Sequence, residues 1–191
     1  LISTICITIT NLCLLFEKEC QAKFIEVNGV GVIATILETQ SSDVLVNTAE
    51  SKKTSYNVVD LLTTLCSENL HMKQKFGDHG ACLFIVELVA QLKDDVNFTK
   101  IGLSAITALA TNSSSNTLVF LRNMEQVCAL VTNVVSTHPD KVDVLIPCLM
   151  AFDSLCMELC KYDDENRSIF IGSLLSSGVH NSIVNVYCGH T

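Results

Sequence analysis

The sequence contains no tryptophan and only two prolines, and charged residues make up 17% of its 191 positions. That charged fraction is well below the roughly 25% of ordinary soluble domains. Hydrophobic residues reach 49%, and the mean hydropathy is +0.41. Intrinsic disorder is excluded as the main state, because it requires low hydrophobicity and high charge. The length predicts a single domain that spans residues 1–191 and can bury a core of its own.

A long uninterrupted apolar run is also missing. The longest uncharged run near the start, residues 1–16, is broken by five hydroxyl or amide residues, whereas a membrane-spanning helix needs about 20 mostly apolar residues. We therefore expect no membrane insertion, and we expect the excess apolar residues to be buried in protein. No basic segment precedes this run, so a signal peptide is not predicted. Because the first residue is Leu, we expect the chain to be a piece of a longer one.

Clusters of positive charge are absent as well. The chain has 12 basic and 20 acidic residues, for a net charge of −8, and the only adjacent basic pair is Lys52–Lys53. Nucleic-acid binding depends on clustered Lys and Arg, so we expect no nucleic-acid partner.

No catalytic or cofactor motif is recognisable. The chain has no G-x-S-x-G, no glycine-rich phosphate loop and no C-x-x-C, so we expect no enzyme activity, no cofactor and no metal. The one thiol-enzyme candidate is Cys82, which follows His79 across Gly80. Such a role would require a lowered thiol pKa. We interpret the acidic run at 163–165 as a solvated loop rather than a calcium site.

Ten cysteines could instead suggest disulfides or zinc. Cys156 and Cys160 share one helix face, with Cys148 nearby, but no histidine follows at zinc spacing. We therefore interpret the cysteines as small core residues in a reducing compartment, which favours a cytoplasmic location.

An internal repeat runs along the chain. Its first landmark is a Leu followed by Cys or Ala, with leucines 53, 44 and 46 residues apart: Leu12, Leu65, Leu109 and Leu155. A phenylalanine follows each of them after 11 to 15 residues: Phe24, Phe76, Phe120 and Phe170. A glycine comes next in three copies: Gly29, Gly80 and Gly178. Two landmarks that keep their order over four copies indicate a repeat architecture.

Within each repeat the apolar spacing is helical, as in Val58, Leu61, Leu62 and Leu65. The pattern predicts a long helix that ends at the leucine landmark, a short helix, and a medium helix after the glycine. The short helices are predicted at 20–27, 72–78, 117–123 and 168–173, and the medium helices at 30–37, 82–92, 126–135 and 179–187. Glycine suits the break because it tolerates positive φ. We expect helix caps at Asp43, at Asn97, and at Asp140 or Asp143.

This pattern resembles the armadillo repeat, whose second helix begins G-x-x-x-L-V-x-L-L and whose long third helix ends A-L-x-N-L. The clearest match is the segment 3–16 followed by 24–37. The resemblance covers essentially the whole chain, with HEAT repeats as the near alternative. It implies an all-α fold, a right-handed α-solenoid of about four repeats with incomplete terminal repeats.

The resemblance also implies a binding groove along the third helices. In the family's nuclear-import receptors, an Asn holds an extended peptide and a Trp lies four residues before it. The Asn position maps to Asn11, Thr64, Ala108 and Ser154, and the Trp position maps to Ile7, Asp60, Ser104 and Met150. Only Asn11 matches, so a receptor for basic localisation signals is not predicted. The strongly basic groove of catenin-like members is not matched either, since Lys100 and Lys141 are the nearest basic residues. These eight positions together with Lys100 are called the third-helix face below, and the alternative is that they are ordinary helix surface.

The second repeat is longer than the others. Between Leu37 and Val58 there are about ten residues more than the pattern needs, so residues 41–55 are predicted to form an insertion loop, with an unusually long helix as the alternative.

Two functions remain. The first is a non-enzymatic protein-protein interaction module that binds a partner protein or extended peptide along the third-helix face. The second is a structural segment of a larger assembly or homo-oligomer that pairs through exposed terminal repeats. That pairing would use Ile2, Ile5 and Ile9 at one end, and Ile183, Val184 and Tyr187 at the other.

Overall fold

The computed structural model describes residues 1–42, 48–159, 164–182 and 184. Within these ranges the chain is all-helical, which confirms the predicted all-α class. The helices are α1 (Ile2–Leu15), α2 (Glu17–Glu26), α3 (Gly29–Ser42), α4 (Ala49–Cys66), α5 (Leu70–Asp78), α6 (Ala81–Gln91), α7 (Val96–Ala110), α8 (Ser114–Arg122), α9 (Met124–Thr137), α10 (Val142–Leu159) and α11 (Asp164–Ser177).

The helices pack with a period of three. The long helices contact one another in the order α1, α4, α7, α10, and the medium helices in the order α3, α6, α9. The short helix α5 packs against α8, and each medium helix packs against the long helix that follows it. A single hydrophobic cluster runs through these contacts, from Cys6 in α1 to Val179 beyond α11. The excess of apolar residues in the sequence is therefore largely buried between helices.

The cysteines belong to this core. Cys6, Cys66, Cys82, Cys128 and Cys148 are buried in it, and none of these five forms a disulfide. Cys160 lies outside the described residues.

The breaks before the medium helices do not all use glycine in the same way. Gly80 and Gly178 have φ values of +82° and +69°, as predicted for a helix break. In the first repeat, however, the residue with positive φ is Asn28, at +56°. Gly29 serves a different purpose, because a Cβ on it would lie 2.6 Å from the ring of Phe24. The first glycine is therefore required by close packing rather than by backbone conformation.

The helix caps differ from the predicted ones. Asn97 lies inside α7, and the N-cap is Asp95, whose carboxylate accepts a hydrogen bond from the Phe98 N–H at 3.1 Å. Asp143 lies in the first turn of α10, and Asp43 lies outside the described residues. The sequence contains several Asp and Asn residues near each helix start, and only packing decides which of them is placed to accept the bond.

Part of the predicted insertion loop is helix. Residues 49–55 form the first two turns of α4, so α4 is unusually long at 18 residues, and residues 43–47 lie outside the described ranges. The polar content that suggested a loop has a packing role instead. The hydroxyls of Ser51 and Ser55 both donate to Oε1 of Gln40 in α3, at 2.6 and 3.0 Å. Thr48 caps the helix by accepting from the Ser51 N–H at 3.2 Å.

The fourth repeat also departs from the prediction. Where a short helix was expected at 168–173, α11 has 14 residues, Asp164–Ser177. A further helical stretch begins at Val179, directly after the left-handed Gly178, and of the predicted helix 179–187 it includes residues 179–182 and 184.

Candidate interaction face on the long helices

The nine residues of the third-helix face all lie on the four long helices, and none of them is buried. On α1 and α4, Ile7, Asn11 and Asp60 are exposed, and Thr64 is half-buried. On α7 and α10, Ser104 and Met150 are exposed, whereas Lys100, Ala108 and Ser154 are half-buried. The helices α1, α4, α7 and α10 contact one another in this order. The mapped Asn position and the mapped Trp position therefore each recur once on every successive long helix.

The hydroxyl groups of this face are bonded within their own helices. Thr64 donates to the carbonyl oxygen of Asp60 at 3.0 Å, and Ser104 donates to that of Lys100 at 3.0 Å. Ser154 donates to the carbonyl oxygen of Met150 at 2.9 Å. Each hydroxyl oxygen retains acceptor capacity, so these positions offer acceptors to a ligand more readily than donors.

Two side-chain contacts connect α7 to α10 across this face. The ammonium group of Lys100 lies 3.0 Å from Oδ2 of Asp143, and the hydrogen bond and charge of Lys100 lower the pKa of that carboxyl. The Thr111 hydroxyl lies 3.5 Å from that of Ser154. The ion pair is open to solvent, so it contributes little to stability. It also neutralises the one lysine of the predicted face.

Between α1 and α4 the face contains a depression of about 310 Å³. Its lining comprises Cys13 and Leu14 of α1, Thr64 of α4, and Ser67 and Glu68 just beyond α4. Asn11, the one residue that matches the family's peptide-holding Asn, lies three residues before Leu14 on the same helix. Asn11 itself is exposed and is not part of the lining of the depression.

Asp60 has an environment that opposes its charge. Desolvation raises the pKa of its carboxyl above the ordinary value of 3.8. A basic side chain from a ligand would relieve this cost, because a nearby opposite charge favours the ionised form.

Apolar residues on α10 that were not predicted from the sequence lie beside this face. Ile146 and Met157 are exposed, and they lie four residues before and seven residues after Met150. Leu149 is exposed as well. The sequence does contain an apolar pattern here, since this spacing places Ile146, Met150 and Met157 on one side of a helix. Such a stripe normally indicates core packing, and exposure could be recognised only after the neighbouring helices were in place.

The thiol-enzyme candidate has the wrong environment for a nucleophile. Cys82 is completely buried, and desolvation raises the pKa of its thiol to about 12. Nδ1 of His79 lies 2.8 Å from the carbonyl oxygen of Lys75, so that nitrogen is engaged with the backbone. Burial raises the pKa of Cys148 to about 12 as well. A nucleophilic thiol needs the opposite shift.

The apolar residues proposed for terminal pairing are only partly accessible. Ile2 and Ile5 of α1 are exposed, whereas Ile9 packs partly against the core. At the other end Val184 is exposed, and Ile183 and Tyr187 lie outside the described residues.

Neither a metal cluster nor a long spanning helix occurs in the part of the chain that the structure describes. No group of three or more His, Cys, Asp or Glu side chains there could hold a metal ion. No single helix in the same ranges has the length and apolarity to cross a bilayer, although two strongly bent helix pairs, α2 with α3 and α8 with α9, have sufficient length and composition together. No family model, curated protein or solved structure matches this chain.

Proposed function

We propose that this chain is an armadillo-like α-solenoid that works as a non-enzymatic protein-interaction module and binds a partner along the third-helix face. The observation that supports this proposal is the stacking of α1, α4, α7 and α10, with equivalent unburied positions on each helix. A stacked repeat contacts its partner over an extended surface through many weak contributions. The buried thiols of the core are consistent with a reducing compartment such as the cytoplasm.

The chemistry of the face indicates the kind of peptide it would take. It is apolar at its two ends, around Ile7 on α1 and Met150 on α10, and polar but nearly uncharged between them. Asp60 is its one acidic member, and Lys100 is paired with Asp143. We therefore propose an extended peptide with apolar side chains and at most an isolated basic residue, which Asp60 would receive.

The experiment is selection from a random peptide library displayed on phage, with the intact chain immobilised. Binders are then measured against two variants that introduce the same group at different places. Ser104→Arg puts a guanidinium at the centre of the third-helix face, and Ser136→Arg puts one on α9. Both serines are exposed, and both hydroxyls bond to a backbone carbonyl of their own helix.

We expect Ser104→Arg to weaken the selected peptides at least tenfold and Ser136→Arg to leave their affinity unchanged. Peptides that bind both variants as well as the original chain would show that another surface is used, and the proposal would then be wrong.

The second candidate is a structural segment of a larger assembly or a homo-oligomer, and the exposed apolar side chains of α1 favour it. Size-exclusion chromatography with light scattering over a hundredfold concentration range tests self-association. A homo-oligomer predicts a mass that rises toward twice 20.8 kDa or more. A constant monomer mass would leave only assembly with a different chain or segment.

A further inference from the structure

The four methionines of the chain occupy two kinds of place. Met72 and Met124 belong to the core, with exposed fractions of 0% and 3%. Met150 and Met157 on α10 are 55% and 62% exposed. Met150 is a member of the third-helix face, and Met157 lies seven residues further along the same side of the helix. The exposed methionines therefore lie on or beside the face that is proposed to bind a peptide.

The exposure of Met150 belongs to its position in the repeat. The equivalent residues Ile7, Asp60 and Ser104 on the other long helices are exposed as well. Ser104 is the most informative of these, because it lies on α7, which contacts a long helix on each side, α4 and α10. Packing between successive long helices therefore leaves this position open to a ligand and to small molecules in solution.

The surroundings of Met150 are apolar. Ile146 lies one turn before it and Leu149 directly precedes it, and both are exposed. The hydroxyl of Ser154 donates to the carbonyl oxygen of Met150 at 2.9 Å, so this polar contact is made by the backbone. A thioether is apolar, polarisable and flexible, and it adapts to apolar side chains of different shapes. Met150 is therefore suited to contact an apolar side chain of the peptide at the α10 end of the face.

We propose that Met150 is an oxidation-sensitive contact of the third-helix face, where hydrogen peroxide or another hydroperoxide converts the thioether to a sulfoxide and thereby releases the bound peptide. This inference rests on the peptide-binding function proposed above, and it names a means of regulating that same site. In the step, a lone pair of the methionine sulfur attacks one peroxide oxygen and the O–O bond breaks. The attacked oxygen stays on sulfur, and its proton passes to the departing oxygen, which leaves as water. Sulfur is oxidised by two electrons, and the peroxide is reduced.

The sulfoxide opposes peptide binding for a physical reason. Its oxygen is a strong hydrogen-bond acceptor, and an apolar side chain packed against it would remove its water without replacing the bond. Oxidation therefore turns the apolar α10 end of the face into a polar one. Met72 and Met124 are protected by burial, so the core is not altered by the same treatment. Because methionine sulfoxide reductases restore the thioether, the change is reversible.

The test treats the intact chain with hydrogen peroxide and then with dithiothreitol. Peroxide also reaches half-buried thiols such as Cys20, and dithiothreitol reverses sulfenic acids and disulfides but not methionine sulfoxide. Peptide mapping by mass spectrometry locates the added oxygen, and circular dichroism checks that the chain stays folded. The affinity of the library-selected peptides is measured before and after treatment for the unaltered chain, for Met150→Leu and for the control variant Met157→Leu.

We expect Met150 and Met157 to gain oxygen at least tenfold faster than Met72 and Met124. The peptide affinity of the unaltered chain should fall at least fivefold while the circular dichroism spectrum stays the same, and methionine sulfoxide reductases should restore it. In Met150→Leu, the affinity should be the same before and after peroxide, whatever its starting value. Met157→Leu should lose affinity on treatment by the same factor as the unaltered chain.

An unchanged affinity although Met150 carries the oxygen would overturn the inference. So would a loss of affinity that persists in Met150→Leu, a loss that dithiothreitol reverses, or unfolding of the oxidised chain. In each of these cases peptide binding at the third-helix face still holds, provided that Ser104→Arg weakens the same peptides. If Ser104→Arg leaves their affinity unchanged, the proposed function is wrong, and the inference about Met150 is wrong with it.

Discussion

The hydroxyl of Tyr56 in α4 donates a hydrogen bond of 2.5 Å to Oδ1 of Asp95, the N-cap residue of α7. The same tyrosine ring meets the ring of Phe98 edge to face, with centroids 5.2 Å apart. One side chain thus connects two successive long helices through both a polar and an aromatic contact. Desolvation and the bond to Asp95 raise the pKa of the Tyr56 hydroxyl. The same bond lowers the pKa of the Asp95 carboxyl.

Tyr56→Phe should destabilise the fold by about 1 kcal/mol, because it removes this hydrogen bond and keeps the ring contact. Chemical denaturation measures the change in unfolding free energy. Asp95→Ala removes both the bond and the cap, and it should cost about 1–2 kcal/mol by itself. The double variant should then cost less than the sum of the two single variants. Additive losses would mean that the two side chains do not interact in solution.

The stability of the protein should fall in acid partly because of Asp95. Burial would raise the pKa of this carboxyl, but hydrogen bonds from Tyr56 and the Phe98 N–H and the charge of Lys52 outweigh it and hold the pKa below the ordinary value of 3.8. A carboxyl with a lowered pKa in the folded state stabilises the fold above its unfolded pKa. That contribution is lost as the pH falls through the folded pKa.

Asp95→Asn, which keeps an oxygen acceptor at the cap, isolates this effect. Unfolding by urea at several pH values should show the variant less stable than the original chain at neutral pH, and the difference should shrink below about pH 4. A difference that is independent of pH would show that the charge of Asp95 contributes nothing.

Cys82 should resist alkylation in the folded protein. With its thiol pKa raised to about 12 by burial, its thiolate fraction at pH 8 is on the order of a thousandfold below that of an ordinary thiol of pKa 9.0. Iodoacetamide labelling followed by peptide mass spectrometry should show Cys82 labelled only after denaturation, whereas the half-buried Cys20 is labelled in the native chain. Rapid native labelling of Cys82 would instead indicate an open, reactive thiol.

The raised thiol pKa also predicts a loss of stability in alkali. Because the folded pKa of Cys82 exceeds the unfolded value, its contribution is complete below about pH 9 and decreases as the pH rises toward 12. Replacing Cys82 with Ala should flatten this alkaline decline.

Gly77 should tolerate no side chain, in contrast to Gly172. A Cβ on Gly77 would lie 1.8 Å from Oδ1 of Asn116, a side chain that is 1% exposed. The amide of Asn116 donates to the carbonyl oxygens of Lys73 and Leu109, at 2.9 and 3.1 Å. Gly77→Ala should therefore cost about 2 kcal/mol or more, through overpacking and the loss of these buried bonds.

Gly172→Ala is the matched control. Gly172 also lies within a helix, α11, but apart from the backbone of that helix no atom of the described residues lies within 4 Å of its Cβ position. This substitution should stabilise the chain by about 0.5–1 kcal/mol, since alanine favours helix over glycine. Similar free energies for the two variants would show that Asn116 can move aside without cost.

The sequence predicted the helices better than their ends. The apolar spacing around Val58 and Leu65 is local, so it indicates a helix without knowledge of any partner. The cap of α7 was misplaced by two residues, from Asp95 to Asn97. Both residue types favour the position, and only the folded chain shows that Asp95 accepts from the Phe98 N–H and from Tyr56. The insertion loop predicted at residues 41–55 is helix at 49–55 for a related reason. Its serines look solvated in sequence, and their partner Gln40 is more than ten residues away.

The third-helix face was likewise predictable in part from the sequence and in part only from the tertiary structure. Eight of its nine positions could be assigned from the repeat, Lys100 was added as a nearby basic residue, and all nine are unburied. The depression between α1 and α4 and the exposure of Met157 could not be predicted, because each depends on how neighbouring helices approach one another.

The sequence by itself determined the all-helical class, the order of long, short and medium helices from α1 to α9, and the burial of most of the apolar excess, because periodicity and composition act within a few turns of chain. Only the tertiary structure decided which sides of those helices are covered. Ile5 and Val58 are similar aliphatic residues at equivalent positions, yet one is 48% exposed and the other is completely buried. In the folded chain α3 packs against α4, the helix that carries Val58.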